Sequence, residues 1–454
     1  MLLGRILPVL ILFLITVIYS RKLSFDEYGK FQSVWMYANI VNVIITFGLT
    51  SVILSTNLNF LFSFIKGHQK KLSVFYLLLW IIGLAAFYFF AKNFTNELKL
   101  LLIAFIVIQN ISTVAETLLI KRQGEKISFI INFFYSVFFL AWHLYILFAD
   151  YSLTKLIAGI CIISILKLIA MLMIPFKKGV YLAATNEKHF LQHWAFLGLN
   201  DILGVISKWI DKFFLLYILT ATDFAIFFNG SFEIPLFGLL ISVMGSFLLI
   251  EISKNVTLTS KIVQLYRESF LILSALVFPM FFFLFFFRNE LFAFIFQNKY
   301  DASLPVFVIS IFVLPLRINN YSVILQCFSK GEKILLGSIL DISIAIILML
   351  VLYPAMGTQG IALAIVVATF CQIIFYVLHS AKTLHTSVLQ LLPLQKLVLR
   401  FLMLGAFYFI LFLILTKCDL KIKLLVAAIA TTFLVLIGFV KYFKTFFKKE
   451  HVQN

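Results

Sequence analysis

Residues 334–353 read ILLGSILDISIAIILMLVLY, and residues 360–380 read GIALAIVVATFCQIIFYVLHS. Each stretch stays apolar for about 20 residues, the length that an α-helix needs to cross a bilayer core of ~30 Å. A short connection, residues 354–359, separates the two stretches. The two stretches therefore predict a pair of membrane-spanning helices.

Runs of the same kind fill almost the whole chain. Hydrophobic residues make up 63% of the chain and charged residues 12%, whereas a soluble domain carries about 25% charged residues. The runs are too long and too uniformly apolar for barrel strands, so we predict an all-α integral membrane protein with 14 transmembrane helices. The predicted spans are 2–20, 32–55, 73–91, 99–120, 127–148, 154–175, 193–218, 223–249, 268–287, 303–328, 334–353, 360–380, 396–416 and 423–440.

Lysine and arginine concentrate in alternate loops. If the N-terminus is cytoplasmic, the basic stretches 66–71, 121–126 and 441–449 are cytoplasmic too, as the positive-inside rule requires. High Phe and Lys usage is typical of an AT-rich bacterial genome. We therefore predict a multi-pass protein of the bacterial cytoplasmic (inner) membrane with both termini in the cytoplasm. The net charge of +18 then reflects topology and contact with anionic membrane lipids, and nucleic acid is not needed to explain it.

The chain resembles itself at an offset of 196 residues. Residues 23–31 (LSFDEYGKF) align with residues 219–227 (LTATDFAIF), and each segment lies between the first and second helix of a set. The repeat predicts two parallel six-helix lobes, residues 1–192 and 193–395, followed by two extra helices and a basic tail in residues 396–454. Carriers of this type hold their substrate between such halves. Chance similarity in an apolar chain is the alternative.

The seventh run carries its polar residues on one helical face. A charge at the bilayer centre costs about 2.5–3.5 kcal/mol on insertion scales, so repeated charges on one face need a reason. We expect this face to line an aqueous cavity in which Lys208 and Lys212 bind an anion. A self-neutralising Asp/Lys cluster between helices is the alternative. The residues of the face are Asn200, Asp201, Gly204, Ser207, Lys208, Asp211 and Lys212.

Two more cations lie well inside the runs. Arg317 lies midway along the tenth run beside Asn319 and Asn320, too deep to reach the membrane surface, and we expect it in the same cavity. Lys167 lies nearer the cytoplasmic end of the sixth run, so it is a cavity candidate that can equally extend to the interface.

Two arginines lie near the ends of runs. We expect Arg400 to extend to the membrane surface. Arg5 precedes Pro8, which can kink the first helix, so Arg5 remains a candidate for the substrate-binding cavity.

Five acids lie inside the runs: Glu116, Asp201, Asp211, Glu233 and Asp341. Burial raises the pKa of a carboxyl group and lets it carry a proton near neutral pH. Asp201, Asp211, Glu233 and Asp341 are therefore candidates for the site of a coupling ion. The alternative for each acid is a salt bridge to one of the basic residues just named.

Catalytic and metal-binding patterns are weak in this sequence. His189-x3-His193 has the spacing of a metal site, but the motif contains no Glu and has no obvious third ligand. The four cysteines form no C-x-x-C pair. A polyprenyl-linked sugar enzyme, which usually shows a large outer loop or an embedded His-containing motif, is the less favoured alternative, because the loops here are short and no acid-x-acid metal pair is present. We therefore predict a protein that is not an enzyme, with no catalytic residue, no metal and no cofactor.

Several motifs, in their order and spacing, resemble one family. The chain is similar to the polysaccharide-transporter branch of the multidrug/oligosaccharidyl-lipid/polysaccharide (MOP) exporter superfamily, which includes the O-antigen flippases. Phe224 and Ala225 depart from the Tyr and Gly of the family's repeat. The matching motifs are Leu23-x4-Tyr28-Gly29-x-Phe31, Phe47-Gly48-Leu49, Asp211-Lys212, Gly331-x-Lys333 and Tyr353-Pro354-x2-Gly357-x2-Gly360-x-Ala362-x-Ala364.

The resemblance implies a MATE-like fold with two lobes around a cavity that opens to alternate sides. It also implies a substrate: a polyprenyl-diphosphate-linked oligosaccharide, such as an O-antigen or capsule unit, moved from the inner to the outer leaflet. The polysaccharide polymerase machinery is a further expected partner. A peptidoglycan-precursor (lipid II) flippase and a drug/cation antiporter of the same superfamily remain alternatives.

Overall fold

The structure is a computed structural model of the full chain, and it describes residues 2–56, 58–122, 125–174, 187–218, 220–231, 235–254, 258–328 and 330–448. In these residues every regular element is helical. The all-α fold class predicted from the apolar runs is confirmed.

Nine α-helices lie before residue 219. They are α1 (Leu2–Lys22), α2 (Phe25–Thr46), α3 (Leu49–Ser55), α4 (Leu58–Gly67), α5 (Gln69–Phe90), α6 (Asn96–Lys121), α7 (Glu125–Ala149), α8 (Leu153–Leu172) and α9 (Glu187–Ile218).

Twelve more follow, with a short 3₁₀ turn before α14. They are α10 (Ala221–Gly230), α11 (Pro235–Lys254), α12 (Thr259–Phe286), α13 (Arg288–Phe296), α14 (Leu304–Ser310), α15 (Val313–Leu316), α16 (Val323–Cys327), α17 (Gly331–Met356), α18 (Thr358–Thr383), α19 (Val388–Leu391), α20 (Leu394–Leu415) and α21 (Leu420–Lys448).

Within the described residues, nine helices are long and apolar enough to cross a membrane: α5, α6, α7, α8, α12, α17, α18, α20 and α21. The protein is therefore a multi-pass membrane protein. The sequence-predicted spans that are not among these nine fall on helices that carry charges, such as α9, or on stretches that divide into shorter helices, such as α2 and α3. Helix α4 occupies a stretch predicted as a loop.

Three predicted continuous spans are interrupted, which corrects the sequence-based boundaries. Residues 32–55 divide into α2 and α3, because Phe47 and Gly48 between them have positive φ angles of 39° and 70°. Residues 223–249 divide into α10 and α11, and residues 303–328 divide among α14, α15 and α16. Average hydropathy does not reveal such breaks, because the broken stretches remain apolar.

Capping side chains determine where several helices begin. At the start of α2 the Ser24 hydroxyl accepts the Glu27 N–H (3.3 Å), and the Glu27 carboxylate accepts the Ser24 N–H (2.9 Å). At the start of α6 the Thr95 hydroxyl accepts the Leu98 N–H (3.3 Å). These hydrogen bonds satisfy N–H groups that have no partner inside the helix.

The chain divides into two compact units, Met1–Ala225 and Ile226–Asn454. In the first unit, α9 packs against α2 and α3, while α8 packs against α6 and α7. In the second unit, α17 packs along α18, and α12 packs against α20 and α21. Because α9 packs against α2 and α3, it belongs to the first unit, which ends at Ala225. The lobe boundaries predicted at residues 192 and 395 stay predictions.

Glycines allow two neighbouring helix pairs to approach closely. A Cβ on Gly159 of α8 would lie 2.0 Å from the Trp142 ring of α7, and a Cβ on Gly337 of α17 would lie 2.2 Å from the Tyr376 ring of α18. Small residues commonly allow such contact between membrane helices. The two large aromatic rings therefore fill the notches that glycine leaves.

Helix α20 is attached to α12 by a buried polar contact. Arg400 donates hydrogen bonds to the Leu271 carbonyl oxygen and to the Ser274 hydroxyl. Tyr408 of α20 and Thr431 of α21 share a hydrogen bond of 2.6 Å. Backbone and hydroxyl acceptors on α12 thus bind the Arg400 guanidinium, and the expectation that Arg400 extends to the membrane surface stays a prediction.

Candidate substrate-binding site

Lys208 is exposed on α9, whereas Asp211 and Lys212 one turn later are buried. Its Nζ atom lies 5.9 Å from the centroid of the Trp209 ring, and no carboxylate of the described residues forms an ion pair with it. Gly204, one turn earlier on the same face, is also exposed, and a Cβ there would have no atom within 4 Å. Helix α9 thus presents a cation on an open part of its polar face.

Asp211 and Lys212 neutralise each other. The Lys212 ammonium lies 3.0 Å from Asp211 Oδ2, and the Lys212 backbone N–H donates to Asp211 Oδ1 at 2.8 Å. Both side chains are close to fully buried. Removing either partner of such a pair would leave a buried charge uncompensated. The polar face of α9 therefore carries a neutral ion pair and an exposed cation, Lys208, and its role as a cavity lining stays a prediction.

Asp201 lies at the start of the same face and contacts α3. The Ser51 hydroxyl donates a hydrogen bond of 2.7 Å to Asp201 Oδ2. This contact lies close to the break between α2 and α3, where Trp194 Nε1 donates to the Phe47 carbonyl oxygen at 3.0 Å. Helix α9 therefore holds the broken helix through two polar side chains.

A network of neutral groups lies beside the same break. Asn110 of α6 donates through its side-chain amide to Asn42 Oδ1 and to Thr46 Oγ1, both at 2.8 Å. The Tyr76 hydroxyl donates to the Thr46 carbonyl oxygen at 3.4 Å. These groups join α2, α5 and α6 without any charge, as interhelical hydrogen bonds do in other membrane proteins.

The predicted tenth span unwinds around Arg317. The chain is not helical over Arg317, Ile318, Asn319 and Asn320, between α15 and α16. Arg317 Nη2 donates a hydrogen bond of 3.1 Å to the Thr369 hydroxyl on α18. Non-helical backbone at membrane depth is tolerated where it is buried in protein or lines a water-filled cavity, and such breaks mark substrate sites in many transporters.

Amide side chains stabilise this second break. The fully buried Ser269 hydroxyl accepts a hydrogen bond of 2.7 Å from Asn319 Nδ2, while Asn319 Oδ1 accepts the Asn320 N–H. Asn320 Oδ1 in turn accepts from the backbone and hydroxyl of Ser322, at 3.2 and 2.9 Å. The break is therefore held to α12 through Asn319 and to α18 through Arg317.

Lys167 belongs to a separate cluster on α6, α7 and α8. Its Nζ atom lies 3.0 Å from Glu116 Oε2 and 4.8 Å from the centroid of the Tyr135 ring. Asn132 donates to the other Glu116 oxygen at 2.7 Å. The Lys167 side chain is only 8% exposed, so it is ion-paired and largely buried in the protein.

Three further candidates are Asp341, Arg5 and Glu233. Asp341 is buried on α17, at 3% exposure. Arg5 lies on α1, but its side chain is outside the part of the chain that the structure describes, and so are the side chains of His189 and His193. Glu233 lies outside the described residues. In the part of the chain that the structure describes, no group of three or more His, Cys, Asp or Glu residues is placed to hold a metal ion.

The predicted cations therefore occupy several places. In the first unit, Lys208 and Lys212 share α9, which packs against α2 and α3, whereas Lys167 is on α8. Arg317 and Asp341 belong to the second unit. The roles predicted for all of these residues stay predictions.

Sequence reasoning missed the buried His143 of α7. Its ring is fully buried, Nδ1 lies 2.8 Å from the Phe139 carbonyl oxygen, and the Tyr19 hydroxyl donates to the His143 carbonyl oxygen at 3.0 Å. The Phe-x3-His spacing recurs at His68 and His379, which make the same contact four residues back. This recurring Phe-x3-His spacing is the sequence pattern that could have drawn attention to His143.

Comparison with solved structures decides the fold. The lipid II flippase MurJ, in an inward closed conformation, matches with a TM-score of 0.67 at 15% identity, over 98% of this chain and 97% of the flippase. An inward-facing multidrug resistance MATE family transporter of the MOP superfamily matches with a TM-score of 0.54 at 15% identity, over 83% of this chain and 94% of the transporter.

The fold is that of the MOP superfamily. A MOP superfamily transporter from Pyrococcus furiosus, described as having a binding pocket of reversed polarity, also matches, with a TM-score of 0.55 at 15% identity over 85% of this chain and 93% of that one. No family profile matches the chain, and no curated protein matches its sequence. At this level of identity the MOP likeness concerns the fold alone.

Proposed function

We propose that the protein is a MOP-type flippase that moves a polyprenyl-diphosphate-linked oligosaccharide from the inner to the outer leaflet by alternating access. The observation that carries the proposal is Lys208, an exposed cation on a helix that also bears a buried ion pair. A diphosphate needs fixed cations to replace its hydration as it crosses the membrane. The lipid tail can stay in the bilayer while the headgroup passes.

Two further observations support a lipid-linked substrate. Arg317 lies where a helix unwinds, and backbone of this kind accompanies binding sites in transporters. The MurJ match extends over 98% of this chain, against 83% for the MATE family transporter and 85% for the Pyrococcus furiosus MOP superfamily transporter. The difference is close to the length of α20 and α21, the two predicted extra helices.

Lys208 is the residue that we assign to the diphosphate, and Arg317 of the second unit is proposed as a substrate-binding residue in its own right. Lys212 and Lys167 are held by carboxylates, so they would contribute less to binding an anion than the exposed Lys208. Asp201, which accepts only a hydroxyl hydrogen bond from Ser51 among the described contacts, is the acid best suited to carry a coupling ion. Asp211 is less suited because Lys212 already neutralises it.

Reconstitution tests the proposal directly. Purified protein is inserted into liposomes that contain a fluorescent polyprenyl-diphosphate trisaccharide, and dithionite added outside bleaches only label in the outer leaflet. We expect the protein to move labelled lipid from the inner leaflet to the outer leaflet, where dithionite bleaches it. Lys208→Ala should slow this exchange by about tenfold, because a hydrogen bond to a charged group contributes about 1.5 kcal/mol or more. Lys71→Ala, at an exposed lysine of α5, is the matched control.

The same liposomes separate the alternatives. A lipid II flippase would move labelled lipid II and leave the trisaccharide lipid in place. A drug/cation antiporter would accumulate a fluorescent organic cation and move neither lipid. Transport of lipid II alone or of the cation alone would overturn the proposed substrate, and full activity of Lys208→Ala would overturn the role of Lys208.

A further inference from the structure

A groove of about 680 Å³ runs between α7 and α8 in the first unit. Its walls are aromatic and aliphatic: Phe134, Phe138, Tyr145 and Leu166 are all more than half exposed along it. Among its lining residues, one carries a charge, Lys167. The groove therefore combines a long apolar wall with a single cation.

Small and rigid residues give the groove its depth. Ala141 and Ala170 line it where larger side chains would fill the space between the helices. Trp142 is fixed beside them, because its Nε1 donates to the Leu156 carbonyl oxygen at 3.0 Å and its ring fits the notch at Gly159. The groove is thus part of the packing of α7 and α8.

A second cation stands at one end of the groove. Lys126 is exposed and lies one helical turn before Ile130, on the stripe of α7 that continues through Phe134 and Phe138. Under the predicted topology this end faces the cytoplasm. Basic sites between membrane helices on that side bind anionic lipid headgroups.

Lys167 has hydrogen-bonding capacity to spare. An ammonium group has three donors, and Glu116 takes one of them at 3.0 Å. Asn132 donates to the other Glu116 oxygen, which keeps the carboxylate in place and Lys167 at the groove. The remaining donors suit neutral oxygen acceptors better than a second full charge, because Glu116 already balances the cation.

We propose that this groove binds an anionic phospholipid of the surrounding leaflet. Its acyl chain lies along α7 from Ile130 to Tyr145, about 22 Å at helical rise, with the phosphate at Lys126. The groove is on α7 and α8, whereas Lys208 is on α9, which packs against α2 and α3. We therefore assign it to a bound membrane lipid and not to the transported one.

Fluorescence quenching by brominated lipids tests this proposal, because Trp142 lines the groove. The full chain is reconstituted in phosphatidylcholine with a small fraction of acyl-brominated phosphatidylglycerol or acyl-brominated phosphatidylcholine. Subtracting the signal of Trp142→Phe isolates Trp142 from the other four tryptophans. We expect the apparent association of phosphatidylglycerol to exceed that of phosphatidylcholine by about fivefold, the preference that one lysine near the surface confers.

Two variants locate the ligand. Lys126→Gln should remove the headgroup preference while leaving quenching by both lipids, and Ala170→Phe should reduce quenching by both because it fills the groove. Ala170→Leu is the milder substitute if the Phe variant does not fold. Lys71→Gln and Ile162→Phe, at exposed positions outside the groove, are matched controls that should behave like the wild type.

Three results would overturn the proposal. Equal quenching by the two brominated lipids would remove the anionic preference, and an unchanged preference in Lys126→Gln would place the headgroup elsewhere. A polyprenyl phosphate that displaces brominated phosphatidylglycerol at equal concentration would assign the groove to the transported lipid instead. Since none of these measurements depends on flipping, they can fail while the proposed function stands.

Discussion

The chain breaks a helix inside each unit, and the two breaks are built differently. At Phe47 and Gly48 in the first unit, neighbouring helices supply neutral donors: Trp194 to the Phe47 carbonyl and Tyr76 to the Thr46 carbonyl. Around Arg317 in the second unit, the break supplies its own polar side chains and adds a charge.

Both breaks meet the requirement that backbone groups in lipid find partners, but only the second includes a cation. A bend alone does not need one. We therefore assign the first break to architecture and the second to substrate binding, and mutations at each break test this assignment.

Gly48→Ala should be the most damaging change. Gly48 has a φ of +70°, and a Cβ there would lie 2.5 Å from the backbone nitrogen of Gly198 on α9. Forcing backbones apart and straining φ together cost about 3 kcal/mol. The measurement is the midpoint of unfolding in a detergent titration. Gly204→Ala, where a Cβ has no atom within 4 Å, should unfold like the wild type, and equal midpoints for the two variants would show that the first break is not tightly packed.

Arg317→Ala should slow transport by about tenfold or more, because it removes a charged hydrogen-bonding group, while the fold is retained. Initial rates in the dithionite assay measure this effect. Arg317→Lys keeps the charge and should recover part of the rate. Thr369→Val removes only the 3.1 Å hydrogen-bond partner of Arg317 and should cost less. If Thr369→Val and Arg317→Ala lose transport equally, the charge has no role beyond packing.

Trp194→Phe should destabilise the first unit by about 1–2 kcal/mol. It leaves the Phe47 carbonyl oxygen without its 3.0 Å donor, and an unsatisfied buried acceptor carries a cost of this size. Most of the ring packing against Phe64 and Phe190 is kept. Thermal unfolding gives the change in stability, and transport by the folded fraction should stay normal. A transport defect without loss of stability would contradict the architectural role of this break.

Tyr76→Phe should have the smallest effect, at about 0.5 kcal/mol or less. Its hydroxyl reaches the Thr46 carbonyl at 3.4 Å, a long and therefore weak hydrogen bond. The same unfolding assay applies. A loss as large as that of Trp194→Phe would mean that the two donors act as one network and not independently.

Hydropathy predicted the well-formed helices and missed the breaks. The runs 334–353 and 360–380 lie within α17 and α18, because a long apolar run has few alternatives to a helix in lipid. Phe47 in a left-handed conformation is not predictable from residue type. The approach of Gly48 to Gly198 joins segments 150 residues apart, so no local pattern contains it.

Charged residues were found by sequence, but their partners were not. Asp201, Lys208, Asp211 and Lys212 do share α9, as helical periodicity predicts. Which of them pair depends on side-chain geometry: Asp211 bonds the adjacent Lys212 at 3.0 Å and not Lys208 three residues before it. Likewise Lys167 meets Glu116 across two helices, a contact that requires knowing how α6 and α8 pack.

The attachment of α20 to α12 has a consequence for shortened chains. A protein ending before residue 394 would resemble a twelve-helix exporter in length. It would lack the Arg400 guanidinium that binds the Leu271 carbonyl and the Ser274 hydroxyl. It would also expose the rings of Phe278, Phe281 and Phe282, which pack on Phe401. The last hairpin is thus an internal support of the second unit, and its removal should yield a protein that aggregates during extraction.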